Sequence, residues 1–381
     1  MGSPRIAEIL RPNPARLEKT VATISGVKHL TSYNWLESRI PTIAVPGIPP
    51  RWNPPPRSKR VAKDKGLIFI SQNAARYPQS PLEPLFRALL LAKPAFDFRD
   101  VGVVTDRNNI RKLLTFVNPK LSRNPIKPFA INVEVCDNTA LFGRTEEAAQ
   151  QFVRPDKFVG YGHNLEKAFT ASELSGSTGH HRIISYGFNG LNLIVRHETD
   201  AYWDTRQTQR MLPSSTSGTD PQKHNSPEME DPEPRPAAPD SELLVKEAGS
   251  EVPLALTLEL KSRHVYRPIE IDEVLPQLWI SQTPNLARAH HQDGRFRVPP
   301  VMNITGHRAK WEKAHQDDLR ALGELIKRII GVVKDSGGSA VVEYDGLDDK
   351  LVVSRGDGRR MLPEDLYSRM AEGGGSPSAG N

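Results

Sequence analysis

Two short triplets carry the residue types that could do chemistry: Glu198-Thr199-Asp200 and Glu259-Leu260-Lys261. Both sit at the ends of apolar runs, Leu193, Ile194 and Val195 leading into the first and Leu254, Leu256 and Leu258 into the second, so both read as strands. Strand side chains alternate between faces, which puts the outer members of each triplet on one surface. Three carboxylates and an ammonium would then share a face if the two strands lie side by side. Carboxylates crowded together repel strongly at low dielectric, and a cation relieves that repulsion. Oxygen-only ligands suit Mg²⁺ or Mn²⁺ better than zinc. A metal there acidifies bound water and stabilises charge on a phosphoryl oxygen, while the lysine orients the water and balances charge. The chemistry indicated is metal-assisted hydrolysis of a phosphate ester. Either triplet alone is also what a solvated strand face shows, so the pairing carries the weight.

The surrounding pattern is mixed α/β. VGVVT (101–105) reads as a buried strand, NNIRKLLTFV as a helix, PFAINVEVC and TALFGR as paired strands, and GHNLEKAFTA as a helix. RIISYGFNGLNLIVRHETDAYW reads as a hairpin broken at Gly187, Asn189 and Gly190. LIFIS, from Leu67, reads as a buried strand, and PLEPLFRALLLAK as a helix with Leu85, Leu89 and Leu90 on one face. IEIDEVLPQLWISQTPNLARA reads as helical with a break at Pro284. Leu319, Leu322, Ile326, Ile329, Ile330 and Val333 mark a long amphipathic helix ending at Gly337-Gly338, and SAVVEYDGLDDKLVVSR closes the chain as a hairpin. Residues 1–30 form an N-terminal segment, and 31–66 an extended proline-rich arm whose prolines, dense over 41–57, keep it out of the core. Residues 67–355 form one large domain with a disordered insertion at 214–250, rich in Ser, Pro, Asp and Glu; 356–381 form a largely disordered tail. The basic run from Arg57 to Lys65 reads as a solvated turn in preference to a nuclear-import or phosphate-contact segment.

Several of these stretches occur in the order found in one family. The chain resembles the PD-(D/E)XK nuclease superfamily and, within it, the DXO family of RNA 5′-end decapping nucleases. SYNW (32–35) is similar to an early Ser-Tyr element, VVTDRNNIRKLL to the first motif with Arg107, and GYGHNLEKAF to the second with Glu166. RHETDAY matches the third motif, with Glu198 and Asp200, and LELKSR the fourth, with Glu259 and Lys261. The paired strands around PFAINVEVCDNTALF and the final hairpin also fit, so the likeness runs from Ser32 to Arg355 outside the insertion. Asn108 stands where the family's first motif usually has glycine, and Gln282 lies one residue further beyond Trp279 than the family's glutamine does.

The resemblance implies a PD-(D/E)XK nuclease-like core, a mixed β-sheet flanked by helices. It implies two ions of Mg²⁺ or Mn²⁺, held by Glu166, Asp200 and Glu259, with Glu198 acting directly or through water. Lys261 would stand beside the nucleophilic water, Arg107 would grip substrate phosphate, and Gln282 would contact substrate. The activities implied are decapping, removal of NAD caps, 5′ pyrophosphate release and 5′-to-3′ exonuclease cleavage. The partners implied are an RNA 5′ end and an exoribonuclease, with the chain a monomer. The alternative is a catalytically weak RNA-binding or nuclease-partner protein that keeps the fold.

Composition agrees. Lys and Arg total 51 against 45 acidic residues, a mild excess that permits a polyanionic partner. The single cysteine, Cys136, excludes a disulfide framework and cysteine-built zinc sites, which suits a reducing compartment of the nucleus or cytoplasm. No apolar run approaches the ~20 residues that span a bilayer. A prenyl-diphosphate synthase would need DDxxD segments, which neither Asp317-Asp318 nor Asp348-Asp349 completes. His180-His181 and His290-His291 read as surface or loop histidines, since neighbours on a strand face opposite ways and no cysteine joins them.

Overall fold

Alternation of apolar residues along the strands decides the architecture. In the strand Val103–Asp106, Val103 packs into one core and Val104 into another; Ile184 and Ile183 of Ser177–Phe188, and Val195 and Ile194 of Leu191–Glu198, divide the same way. A sheet apolar on both faces must be covered on both. The helices Arg107–Val117, Ile271–Ser281 and Gln316–Asp335 cover one face, and Glu83–Ala92 and Glu364–Glu372 the other. The computed structural model describes residues 4–154, 160–204 and 232–372. It is a mixed α/β single domain, with sheets flanked by helices.

Among the described residues the large sheet has twelve strands. At its centre Val103–Asp106 runs parallel to both Thr139–Thr145 and Leu191–Glu198, so these strands end on the same side. Leu191–Glu198 is joined to Ser177–Phe188 by the turn Asn189-Gly190, whose φ values of 52° and 80° suit Asn and Gly. A second, eight-stranded sheet contains Ala201–Tyr202, Thr257–His264 and Asn285–Gln292. Gly66–Phe69 pairs separately with Gln150–Val153.

The helix Arg107–Val117 buries Ile110, Leu113, Leu114 and Val117, the i, i+3, i+4, i+7 stripe of an amphipathic helix. The long helix Gln316–Asp335 buries Leu319, Leu322, Ile326, Ile329 and Val333 and ends where the Gly338 N–H donates to the Val333 carbonyl.

Several expectations are corrected. The N-terminal segment supplies an edge strand, Arg5–Leu10, paired with Lys350–Arg355, and Ile9 is buried. The proline-rich arm is core: Thr42–Gly47 lies between Ile24–Leu36 and Leu244–Gly249, burying Ile43, Ala44 and Val45. Pro41 precedes this strand and Pro46 lies near its end, opposite Ala248, and just beyond it the Asn34 amide stands in for the ladder, donating to the Ile48 carbonyl and accepting from the Ile48 N–H, both at 2.9 Å. Gly47 is obligatory beside it, because a Cβ there would lie 2.1 Å from Asn34 Oδ1. The insertion is ordered from Pro232 onward, where Leu244–Gly249 adds a parallel strand; its other expected part, 214–231, lies outside the described residues. The tail forms the helix Glu364–Glu372, anchored by Leu366, Tyr367 and Met370, and only residues from 373 lie outside the described ones. The LIFIS strand is not buried: Leu67 is 54% exposed. Beyond Pro284 the chain is the strand Asn285–Gln292. His180 and His181 are buried in Ser177–Phe188 and His291 in Asn285–Gln292, so these are not surface or loop residues. Their sides do alternate: His180 meets Asn34, and His181 meets Gln72 and stacks on Tyr33.

Beneath the ends of the central strands lies Arg196, 1% exposed, in a two-pronged ion pair with Asp106 at 2.7 and 2.9 Å. It also donates to the Tyr33 hydroxyl and the Pro81 carbonyl. Arg196→Met leaves the Asp106 carboxylate without its charge partner, and we expect a loss of about 3–5 kcal/mol in urea unfolding. A loss within about 0.5 kcal/mol would show the pair to be dispensable.

A candidate carboxylate active site between two sheets

The two triplets meet where the chain crosses between the sheets. Glu198 ends the strand Leu191–Glu198 in the large sheet, while Ala201 and Tyr202 pair antiparallel with Leu258 and Thr257 in the second. Between them the Thr199 N–H donates to the His180 carbonyl at 3.0 Å, and Asp200 Oδ2 accepts the Leu260 N–H at 2.8 Å. One residue is tied to each sheet. Leu258 and Leu260 go into a small apolar core with Ala201 and Ala287, leaving Glu259 and Lys261 on the opposite face.

Glu259 is buried and surrounded by donors. Lys261 Nζ contacts one carboxylate oxygen, to which Gln277 Nε2 also donates at 2.5 Å, and Arg107 Nη1 lies 3.3 Å from the other. Arg107 opens its helix directly beyond Asp106, at the same end of the parallel strands as Glu198. Glu166 comes from the helix Gly162–Phe169, whose Leu165 and Phe169 anchor it to Tyr161 and Phe296. The first turn of that helix is held by the buried Asp64 carboxylate, which accepts the His163 and Asn164 N–H groups at 3.3 and 2.9 Å. Glu166, Glu198, Asp200, Arg107 and Gln277 line one cleft of about 980 Å³, together with Arg111, Arg144 and His163.

The carboxyls divide into two kinds. Burial works against the charged form of Glu259, but the charges of Lys261 and Arg107 overcome it and hold its pKa below the usual range. Burial, with Asp200 and Glu198 adding repulsion, pushes Glu166 well up. Burial and then Glu259 push Asp200 up to about 7. Glu198 opens to solvent along the cleft but is enclosed enough that desolvation raises it, against the pull of Arg107. Lys261 stays protonated: burial lowers its pKa, and Glu259 and Asp200 raise it by more.

Among the described residues, no three His, Cys, Asp or Glu side chains stand close enough, as placed, to hold one ion. Lys261, Arg107 and Gln277 occupy the Glu259 oxygens instead. The donor set nonetheless fits a hard divalent cation. Its members are carboxylates, and Glu166, Asp200 and Glu198 are each raised by burial and by carboxylate neighbours.

Of the expected site residues, Arg107, Glu166, Glu198, Asp200, Glu259 and Lys261 come together, and Gln282 does not. Its amide is buried and donates to the Trp279 carbonyl, where it terminates the helix in a left-handed conformation with φ 57°. The glutamine that reaches the cleft is Gln277, missed from the sequence. Its one signal there is a lone amide inside the apolar run Val274, Leu275, Pro276, Leu278, Trp279, Ile280.

Raised carboxyl pKa values have a stability consequence. Between the unfolded carboxylate range near pH 4 and about pH 7, Asp200 is more protonated in the folded chain than in the unfolded one, opposite in sense to the buried histidines His180, His181 and His197, which are held neutral. Stability from Asp200 is therefore complete below about pH 4 and is lost as pH rises through about 7, and the raised Glu166 acts in the same sense. In EDTA we expect Asp200→Asn to gain in melting temperature relative to the wild type as pH rises from about 5 to about 8, and saturating Mn²⁺ to raise the wild type more at pH 8 than at pH 5. Identical pH profiles for all three samples would contradict this electrostatic account.

No curated protein matches the chain by sequence. Among solved structures it is similar to Schizosaccharomyces pombe Rai1, with a TM-score of 0.56 and 13% identity, covering 92% of this chain and 99% of that one. Scheffersomyces stipitis Rai1, solved with (3′-NADP)⁺ and a calcium ion, gives 0.55 and 12% over 95% and 96% of the two chains. Candida albicans Rai1, solved with pU5 and Mn²⁺, gives 0.50 and 12% over 93% and 96%. At such identities the likeness establishes the fold, which is the DXO-family fold that the motifs anticipate. The chain itself belongs to the family described as Domain of unknown function (DUF8563), whose model matches residues 6–355.

Proposed function

We propose that this protein hydrolyses phosphate linkages at the 5′ ends of RNA with a divalent metal ion. One observation carries the reading: Arg107, Glu166, Glu198 and Asp200 line one cleft, and Glu259 and Lys261 lie directly behind it, joined through the Arg107–Glu259 and Lys261–Glu259 pairs and the Leu260 N–H bond to Asp200. Support comes from the neighbours, since Rai1 structures hold pU5 with Mn²⁺ and (3′-NADP)⁺ with calcium. Glu166, Asp200 and Glu259 would hold the metal, with Glu198 binding directly or through water. A cation bound there supplies charge stabilisation at a phosphoryl oxygen and a more acidic water.

The chain's own groups do the rest. Lys261 keeps its proton at Nζ, so it acts as a fixed positive charge that orients water and is not a general base. Arg107, which contacts Glu259 from the cleft wall, would offer its planar fork to a substrate phosphate. Gln277 holds Glu259 in place from the helix Ile271–Ser281. Arg111 and Arg144 along the cleft add attraction for a polyanion. Removal of incomplete caps, NAD-cap removal, pyrophosphate release and exonuclease cleavage all use this machinery.

The test is a panel of RNAs with triphosphate, unmethylated-cap, methylated-cap, NAD and monophosphate 5′ ends, incubated with Mg²⁺ or Mn²⁺. We expect turnover of at least one, and a loss of about 1000-fold or more in Glu259→Gln and Asp200→Asn, because each removes charge that the transition state needs. Inactivity of the folded wild type on all five would overturn the catalytic reading in favour of an RNA-binding or nuclease-partner role.

A further inference from the structure

The cleft opens beside a cluster of cations that the metal chemistry does not use. Lys59–Arg60 forms the edge strand of the second sheet, paired antiparallel with Arg295–Phe296 so that Arg60 lies opposite Arg295. Like charges directly opposite on paired strands destabilise the pair. Lys63, Lys65 and Arg297 extend the cluster, all of these cations are exposed, and among the described residues none has an ion-pair partner. A single lysine would guard a sheet edge against unwanted pairing, so this concentration of one sign calls for a polyanion.

The cluster is rigidly connected to the site. Asp64, within it, caps the helix that carries Glu166, and the Asn164 amide donates back to the Ala62 and Lys63 carbonyls at 3.2 and 2.9 Å. Beyond Lys65, which lines the cleft, the chain becomes the strand Gly66–Phe69 of the cleft wall. There Leu67 lies opposite Phe152 in register, 54% and 71% exposed, with Phe69 on the same strand face and the Arg76 guanidinium 5.3 Å from its ring. Cations interleaved with exposed aromatic and apolar side chains are what an unpaired strand needs, since its phosphates and its base faces are both free.

We propose that this ledge carries the body of the single-stranded RNA whose 5′ end enters the cleft, with phosphates over Lys59, Arg60, Arg295 and Arg297 and bases against Leu67 and Phe152. The inference rests on the RNA reading of the site and adds to it a preference for an unpaired strand of some length. A duplex would offer the phosphates but no base faces, and an acidic protein neither bases nor regular charge.

The test is binding in EDTA, by fluorescence anisotropy, of 5′-monophosphorylated RNA of about 15 nucleotides, with a 5′-phosphorylated dinucleotide as competitor and a duplex of equal length as control. The combined variant Lys59→Ser, Arg60→Ser, Arg295→Ser, Arg297→Ser is expected to weaken the long strand about tenfold or more near 0.15 M salt and to lower its salt slope by roughly 2–3, at about 0.7 for each phosphate no longer neutralised. Dinucleotide binding stays unchanged. Phe152→Ser is expected to weaken the single strand about fivefold or more and leave the duplex unaffected. Equal affinity and slope for wild type and the combined variant overturn the ledge, as does a parallel loss on the dinucleotide. Hydrolysis of short 5′ ends separates the two readings. If it persists while long-strand binding ignores the substitutions, the ledge falls and the site stands; if the ledge behaves as expected and no 5′ end is hydrolysed, the catalytic reading falls and the ledge stands.

Discussion

The crossing at Thr199-Asp200 is the constraint on which the site depends. One peptide N–H is tied to the His180 carbonyl in the large sheet, and the next side chain accepts from Leu260 in the second. These two bonds bring the end of one sheet's strand against the strand that carries Glu259 and Lys261. Replace the crossing with an ordinary turn and the two triplets would lie in one sheet, with no cleft between them. The bidentate Arg196–Asp106 pair lies just beneath, holding Leu191–Glu198 to the strand that delivers Arg107. A buried ion pair contributes less through its own energy than through the cost of any rearrangement that parts it.

The electrostatics of the site are asymmetric. Lys261 and Arg107 compensate Glu259 directly, whereas for Glu166, Glu198 and Asp200 burial outweighs the more distant pull of the same cations and their pKa values are raised. Positive charge is thus short on one side of the cluster, where a cation would bind, and already supplied on the other. In the proposed reaction the protonated lysine and the arginine would bracket a substrate phosphate.

Much of this was legible in the sequence, for identifiable reasons. Apolar runs located the strands that carry Glu198 and Glu259, although Leu254–Leu256 is a short 3-10 turn and the second strand begins only at Thr257, and NNIRKLLTFV was legible as the helix behind Arg107. The resemblance, not periodicity, drew attention to Glu166, which is one polar residue among several on its helix. What sequence reasoning missed was decided by long-range pairing. The prolines around Thr42–Gly47 forbid helix but tolerate a strand whose missing donors are replaced by the Asn34 amide, a partner invisible to local composition. The stretch Leu244–Gly249 sits in a polar, proline-rich context and becomes a strand only because Thr42–Gly47 offers it a free edge. Spacing after a tryptophan suggested Gln282, yet helix phase turns Gln277 toward Glu259 and uses Gln282 to end the helix.

The central claim is that these carboxylates form one metal site between two sheets. The most direct measurement is a crystal structure of the chain with Mn²⁺, with the metal located by its anomalous scattering. The account predicts a manganese peak whose coordination shell includes oxygens of both Asp200 and Glu259, with Arg107 displaced from Glu259. Manganese bound elsewhere, with Glu259 still clasped by Lys261 and Arg107, would contradict it.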